Sequence, residues 1–128
     1  MNDFAKVWEK IDAEHADIMV ALNRARVIAA ESALSAAALV PVYEAVVRKF
    51  EGHFASEERA LAETRCPDAD SHRRQHQVLL IRLLSICQQM RGGQSIEIEQ
   101  LQLIFQSLLD DAIGADASFR DYLTSATA

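Results

Sequence analysis

The sequence predicts an all-α protein, an up-down-up-down antiparallel four-helix bundle, and three observations carry that prediction. Good helix formers dominate a chain with only 4 Gly and 2 Pro in 128 residues. Apolar residues recur at intervals of three and four in four separate runs. The links between those runs are short, which favours antiparallel neighbours. Residues 1–128 read as one domain, because a chain of this length can bury one core and has no room for a second.

The first helix is expected from about Asp12 to Ala30, with Ile11, His15, Ile18, Leu22, Ala25 and Ala29 on one stripe. Phe4 and Trp8, ahead of it, read as an apolar flap over the bundle end. The second runs from about Ala37 to Glu63, with Pro41 tolerated near its start and Val42, Val46, Phe50, His53, Glu57 and Leu61 on one face. The third follows CPDAD, where Asp68 or Asp70 can cap, and runs to Met90 through His72, His76, Leu79 or Leu80, Leu83 and Cys87. RGGQS ends it. The fourth begins near Ile96 and carries Leu101, Ile104 or Phe105, Leu108 and Asp111 before Gly114 interrupts it, leaving a short final turn from Phe119 to Leu123. Leu39, Val47, Ile86 and Leu103 lie on other faces, either as partly exposed residues or as a dimer patch.

Charge excludes some functions. With 13 Lys and Arg against 19 Asp and Glu the formal charge is −6, and no basic block offers a landing site to a nucleic acid or an anionic membrane. The N-terminus lacks the positive flank and apolar stretch of a signal peptide, and no apolar run reaches the roughly 18 residues of a membrane span, so a soluble cytoplasmic protein is expected. Cys66 and Cys87 have neither CxxC spacing nor the density of a disulfide framework and read as free thiols.

Ionisable groups on the apolar stripes point to chemistry. Any one histidine on such a stripe reads as a hydrogen-bonded core residue. All four of this chain's histidines on inner stripes form a stronger pattern. His53 and Glu57 make HxxxE, and His72 and His76 make HxxxH; spacing of four stacks each pair on one helix face. His15 and Asp111 join them from the first and fourth helices. Burying ionised carboxylates costs several kcal/mol each without compensation, and a metal compensates directly. Imidazole with carboxylate suits iron, manganese or zinc, and the number of donors exceeds what one tetrahedral zinc uses. Two octahedral ions sharing bridging carboxylates use it well. Glu58 lies about 100° around the helix from Glu57 and reads as a surface residue or one behind the ligands.

At these residues the chain resembles the hemerythrin family, in particular its bacterial single-domain members. The matching frame is Trp8; IDAEH with His15; Asn23; HFASEE with His53 and Glu57; HRRQH with His72 and His76; and DAIGAD ending in Asp116. It spans Trp8 to about Leu123. The resemblance implies a hemerythrin-like bundle with a non-haem centre of two iron ions, joined by an oxo or hydroxo group and bridged by Glu57 and Asp116. One iron would take His15 and His53, have fewer ligands and bind O2; the other would take His72, His76 and a ligand from the last helix. Ligand type alone also admits a mixed manganese and iron centre.

The frame departs from the family on the last helix, where Asp111 stands in place of a histidine. Ser107 and Ala112 replace larger apolar residues of the pocket, and Leu61 replaces a methionine. The expectation is that Asp111 ligates the iron of His72 and His76. Asp111 and Asp116 are five positions apart, about 140° around a regular helix, so both face one centre only if the helix widens or breaks around Gly114. The expected function is O2 binding for storage, delivery or sensing. The alternatives are a di-iron peroxidase or oxidase acting on O2 or H2O2, and a metal or nitric-oxide binding module without turnover. No inward carboxylate free of metal offers itself as a general base. A signalling or redox protein is a further candidate partner.

Overall fold

A computed structural model describes residues 4–32, 37–92 and 97–126. They form α1 (Phe4–Ser32), a 3-10 turn (Ala37–Leu39), α2 (Val40–Glu63), α3 (Ala69–Arg91) and α4 (Ile98–Ala126). No strand occurs among the described residues. The expected start of the fourth helix at Ile96, and most of RGGQS, lie outside them.

Each helix packs on the next, and α4 closes the ring against α1. The contacts fix the directions. His15 from early in α1, His53 from late in α2, His72 from early in α3 and Asp116 from late in α4 meet at one level, so consecutive helices run antiparallel. At the other level Tyr43 from early α2 stacks on Phe105 from early α4, with ring centroids 4.9 Å apart. Gln102 donates its amide N–H to the Tyr43 hydroxyl, which satisfies that buried polar group.

Most of the length is an apolar core built around Ile18, Leu22, Phe50, Leu83, Met90 and Phe105. A smaller cluster of Ile11, Leu61, Cys66, Phe119 and Leu123 closes the end beyond the histidines. Both cysteines are free and buried. Leu39, Val47 and Ile86 belong to the main core, whereas Leu103 is 70% exposed. The four residues therefore form no common surface patch.

The turn between α2 and α3 sets HxxxE against HxxxH. Arg65 takes a left-handed φ of 56°, and the Cys66 N–H donates to the Leu61 carbonyl at 3.0 Å. The Tyr122 hydroxyl donates to the Thr64 carbonyl at 2.6 Å, tying the turn to α4. Asp68 stands at the cap position of α3 without a side-chain capping bond.

Two helix boundaries differ from expectation. α1 begins at Phe4, so Phe4 and Trp8 cover the bundle end from within a helix: Phe4 lies 6.4 Å from the Tyr122 ring and Trp8 6.1 Å from that of His15. α4 is continuous through Gly114. Its buried stripe is Leu101, Phe105, Leu108, Ala112, Asp116, Phe119 and Leu123, one unbroken series of three- and four-residue steps. Burying Phe119 and Leu123 on the same face as Phe105 and Leu108 requires a regular helix, and no wider turn forms.

Gly114 is exposed, in ordinary helical backbone, and a Cβ there would meet nothing within 4 Å. Gly114→Ala is expected to stabilise the protein by about 0.5–1 kcal/mol, since it removes backbone entropy without a clash. Urea unfolding measures this; a destabilised variant would mean that the helix does break at Gly114.

Candidate metal centre

Six side chains from all four helices converge near one end of the bundle. His15 (α1), His53 and Glu57 (α2), His72 and His76 (α3) and Asp116 (α4) are each at most 5% exposed. His15, His53, Glu57 and Asp116 each place a ligand-type atom within 4.8 Å of the others. His15 Nε2 donates to Asp116 Oδ2 at 2.6 Å and His53 Nε2 to the same oxygen at 3.2 Å. Glu57 Oε2 lies 3.1 Å from His53 Nε2.

The remaining oxygens turn to the other histidine pair. Glu57 Oε1 is 3.7 Å from His72 Nε2 and 3.5 Å from His76 Nε2, and Asp116 Oδ1 is 3.9 Å from His72 Nε2. Each carboxylate thus divides its two oxygens between the His15 and His53 side and the His72 and His76 side. Glu57 Oε1, Glu57 Oε2 and Asp116 Oδ1 are buried and accept no hydrogen bond. Orphaned buried acceptors are rare and costly, and here they lie 3.1–3.9 Å from imidazole nitrogens without a formed hydrogen bond. This donor set fits a metal: hard oxygens and imidazole nitrogens, pre-assembled, with lone pairs unspent.

The outer ring nitrogens are held as well. His53 Nδ1 donates to Glu14 Oε1 at 2.9 Å, and His76 Nδ1 donates to Glu58 Oε2 at 3.1 Å. His72 Nδ1 lies 3.4 Å from the Asp68 carbonyl, while its Nε2 donates to the Ala115 carbonyl at 3.0 Å. At His53 and His76 the outward Nδ1–H bond turns Nε2 toward the buried carboxylates. Phe54 stacks on His76 with centroids 4.2 Å apart, and Phe119 lies 6.4 Å from the His72 ring, fixing the orientation of both.

Electrostatics follow from this crowding. Burial alone would push the Asp116 carboxyl up, but hydrogen bonds from His15 and His53 outweigh it and hold the group well below the usual carboxylate range. Burial alone would lower His53, yet the carboxylates of Asp116, Glu57 and Glu14 overcome it and raise the imidazole to about 10. His76 is raised too: burial opposes protonation, and Glu57 and Glu58 more than offset it.

Of the residues singled out in the sequence, Asp111 stays outside the cluster. It is exposed, on the α4 face turned toward the seam with α3. The reason is the helical phase: with α4 regular and Asp116 buried, a residue five positions earlier points about 140° away. Ser107 is likewise exposed on that seam, whereas Ala112 is 2% exposed inside the core. Glu14 is the functional residue that sequence reasoning missed. The available signal was a carboxylate beside His15, about 100° around α1 and so able to face α2. Glu58 proves to lie behind a ligand-type histidine.

Among known proteins the chain is similar to one named bacteriohemerythrin, from Stenotrophomonas maltophilia (strain R551-3). The two are 29% identical over 111 residues, 87% of this chain and 71% of the relative. No protein-family model matches the chain. No solved structure matches it. The similarity to a bacteriohemerythrin, the four packed helices and the buried His, Glu and Asp cluster are consistent with a hemerythrin-like site.

The raised His53 pKa gives a signed expectation for the metal-free chain. A folded value of about 10 against an unfolded value of about 6.5 means that protonated His53 contributes its full stabilisation below about pH 6.5. The contribution declines as pH rises and is lost through pH 10. Urea unfolding of chelator-treated protein is expected to show lower stability at pH 10 than at pH 6, and His53→Gln should flatten that slope. An unchanged slope in the variant would contradict it.

Proposed function

We propose that this chain is a hemerythrin-like, non-haem di-iron protein that binds O2 for storage, delivery or sensing. The observation that carries the reading is the division of the Glu57 and Asp116 oxygens between two histidine pairs. Such a division suits two octahedral ions sharing carboxylates, and the homology to a bacteriohemerythrin favours iron. In this reading His15 and His53 hold one ion, His72 and His76 the other, and Glu57 and Asp116 bridge them. Asp111 is left out of the ligand set because it is exposed.

When bound, the iron pair supplies redox chemistry toward O2. The chain's own residues prepare the place for it. Glu57 and Asp116 bring negative charge that favours binding of cations in a site otherwise walled by apolar groups. Glu14 and Glu58 hold the Nδ1 protons of His53 and His76, so that Nε2 presents its lone pair inward. Leu61 and Phe119, each 0% exposed, and half-buried Trp8 exclude water from the end of the bundle.

One observation favours the redox-enzyme alternative: a surface cavity reaches Ala115, whose carbonyl touches His72. A wet approach promotes loss of reduced oxygen species, whereas reversible carriage requires a dry pocket. The test is anaerobic loading with iron(II), metal analysis, then air exposure under an optical spectrometer. O2 binding predicts two irons per chain and an absorption band that appears with O2 and disappears on deoxygenation. Immediate, irreversible oxidation transfers the reading to O2 or H2O2 turnover. A band obtained with nitric oxide alone transfers it to a nitric-oxide module. Absence of bound transition metal would overturn the proposal.

Glu14→Gln and Glu58→Gln are each expected to weaken binding of one ion by about 10–100-fold, the usual effect of removing a carboxylate behind a metal-ligating histidine. Iron(II) titration under anaerobic conditions measures it. Unchanged affinity in both variants would contradict the assignment of His53 and His76 as ligands.

A further inference from the structure

We infer that the groove between α3 and α4 is a self-association surface, on which a second copy of this chain packs about a two-fold axis parallel to the helices, with Arg82 of each copy against Asp111 of the other. No residue of the metal cluster takes part. Asp111, which lies outside that cluster, takes a central one.

The bundle leaves this face open. α3 and α4 are the least closely packed pair of adjacent helices. Between them lie two cavities, of about 580 and 480 Å³, and Asp111 lines both, so that they join into one groove. From Ser71 to Ile86 along α3 the groove is about 22 Å long at 1.5 Å per residue. Buried Ile86 and Leu108 lie at its floor, and Val78, Ile81 and Leu103 line it while being 50%, 66% and 70% exposed. A recess of this length with large apolar side chains standing in solvent along it is suited to cover by packed helices.

Charge on the two walls selects the occupant. Among the residues lining the groove, α3 contributes Arg74 and Arg82 and no acid, whereas α4 contributes Asp111 and no base. Arg74 lines one cavity, Arg82 the other and Asp111 both, so the acid stands at a level between the two cations. Arg74 donates to the Asp70 carbonyl of its own helix at 3.3 Å. Arg82 and Asp111 are exposed, and neither has a hydrogen bond or ion pair among the described residues. A face with opposite charges on its two walls is complementary to a copy of itself.

Two such faces can meet about a two-fold axis in two ways. An axis lying across the helices sets α3 on α3 and α4 on α4, which opposes arginine to arginine and Asp111 to Asp111. An axis parallel to the helices sets α3 of each copy on α4 of the other. Arg82 and Asp111 then make two equivalent ion pairs, one on either side of the axis. Ile81 and Leu103 line the same cavity and so share a level, which lets each pack on the other across the axis. Opposed like charges disfavour the first arrangement and leave the second. A footprint about 22 Å long and two helices wide is small for a specific interface, so the dimer should dissociate on dilution.

Sedimentation velocity of the full chain, from micromolar concentrations up to about 1 mM, is the test. The expected result is a reversible dimer of twice the 14.2 kDa chain mass. Asp111→Arg and Arg82→Asp each set like charges across the axis and should weaken association about tenfold or more. The two substitutions combined restore opposite charges and should recover the dimer. Leu103→Lys places a charge in the apolar contact and should weaken it as the single charge variants do. All three positions are exposed, so circular dichroism should report unchanged helicity. A wild-type chain that stays monomeric at about 1 mM would overturn the inference and leave the groove to a helix of another protein. Assemblies larger than a dimer, a dimer indifferent to Leu103→Lys, or a combined charge variant that does not regain association would overturn it too. If Leu103→Lys fails to fold, the charge exchange decides.

Discussion

Two carboxylates buried in a helical bundle, with imidazoles as their nearest polar neighbours, set the terms for everything else in this protein. Glu57 is 0% exposed and Asp116 1%, so neither regains in water what it loses on burial. Their ion-pair partners are histidines, which are charged only when protonated. In the metal-free state protons must supply the positive charge, and the strong upward shift of His53 together with the depression of Asp116 expresses that. Replacing those protons by metal ions is the alternative for which the geometry is arranged. The three carboxylate oxygens without hydrogen bonds are the places where proton compensation falls short.

The rest of the fold can be understood as support for this cluster. The apolar core from Ile18 to Phe105 holds the helices together over most of their length, and burial at about 25 cal/mol per Å² of apolar surface supplies the stability that a polar centre consumes. The left-handed backbone at Arg65 and the Tyr122 hydroxyl fix how α3 reverses against α2. That reversal sets His72 and His76 opposite Glu57. Glu14 and Glu58, partly in solvent, extend the network outward through His53 and His76.

Much of this was legible in the sequence because a helix has one period. Residues four apart share a face whatever the tertiary structure, so HxxxE and HxxxH declared both pairs, and the apolar residues around them declared those faces buried. Asp111 shows the limit of such reasoning. Its place among the ligands required a break in α4 that the exposed Gly114 permits but does not cause; burial of Phe119 and Leu123 kept the helix regular and turned Asp111 outward. The phase of a helix is decided by its whole stripe, including residues downstream of the motif. Glu14 was hidden for a different reason: its role depends on which neighbour lies across from α1, information that periodicity does not carry.

The central claim is that Glu57 and Asp116 divide their oxygens between two metal positions, each completed by its own pair of histidines. Anomalous diffraction from crystals of the iron-loaded chain, recorded across the iron edge, tests it most directly. The account predicts two peaks, one against His15 and His53 and one against His72 and His76, about 3.5–4 Å apart as in other carboxylate-bridged pairs. A single peak held by His15, His53, Glu57 and Asp116, with His72 and His76 uncoordinated, would contradict it.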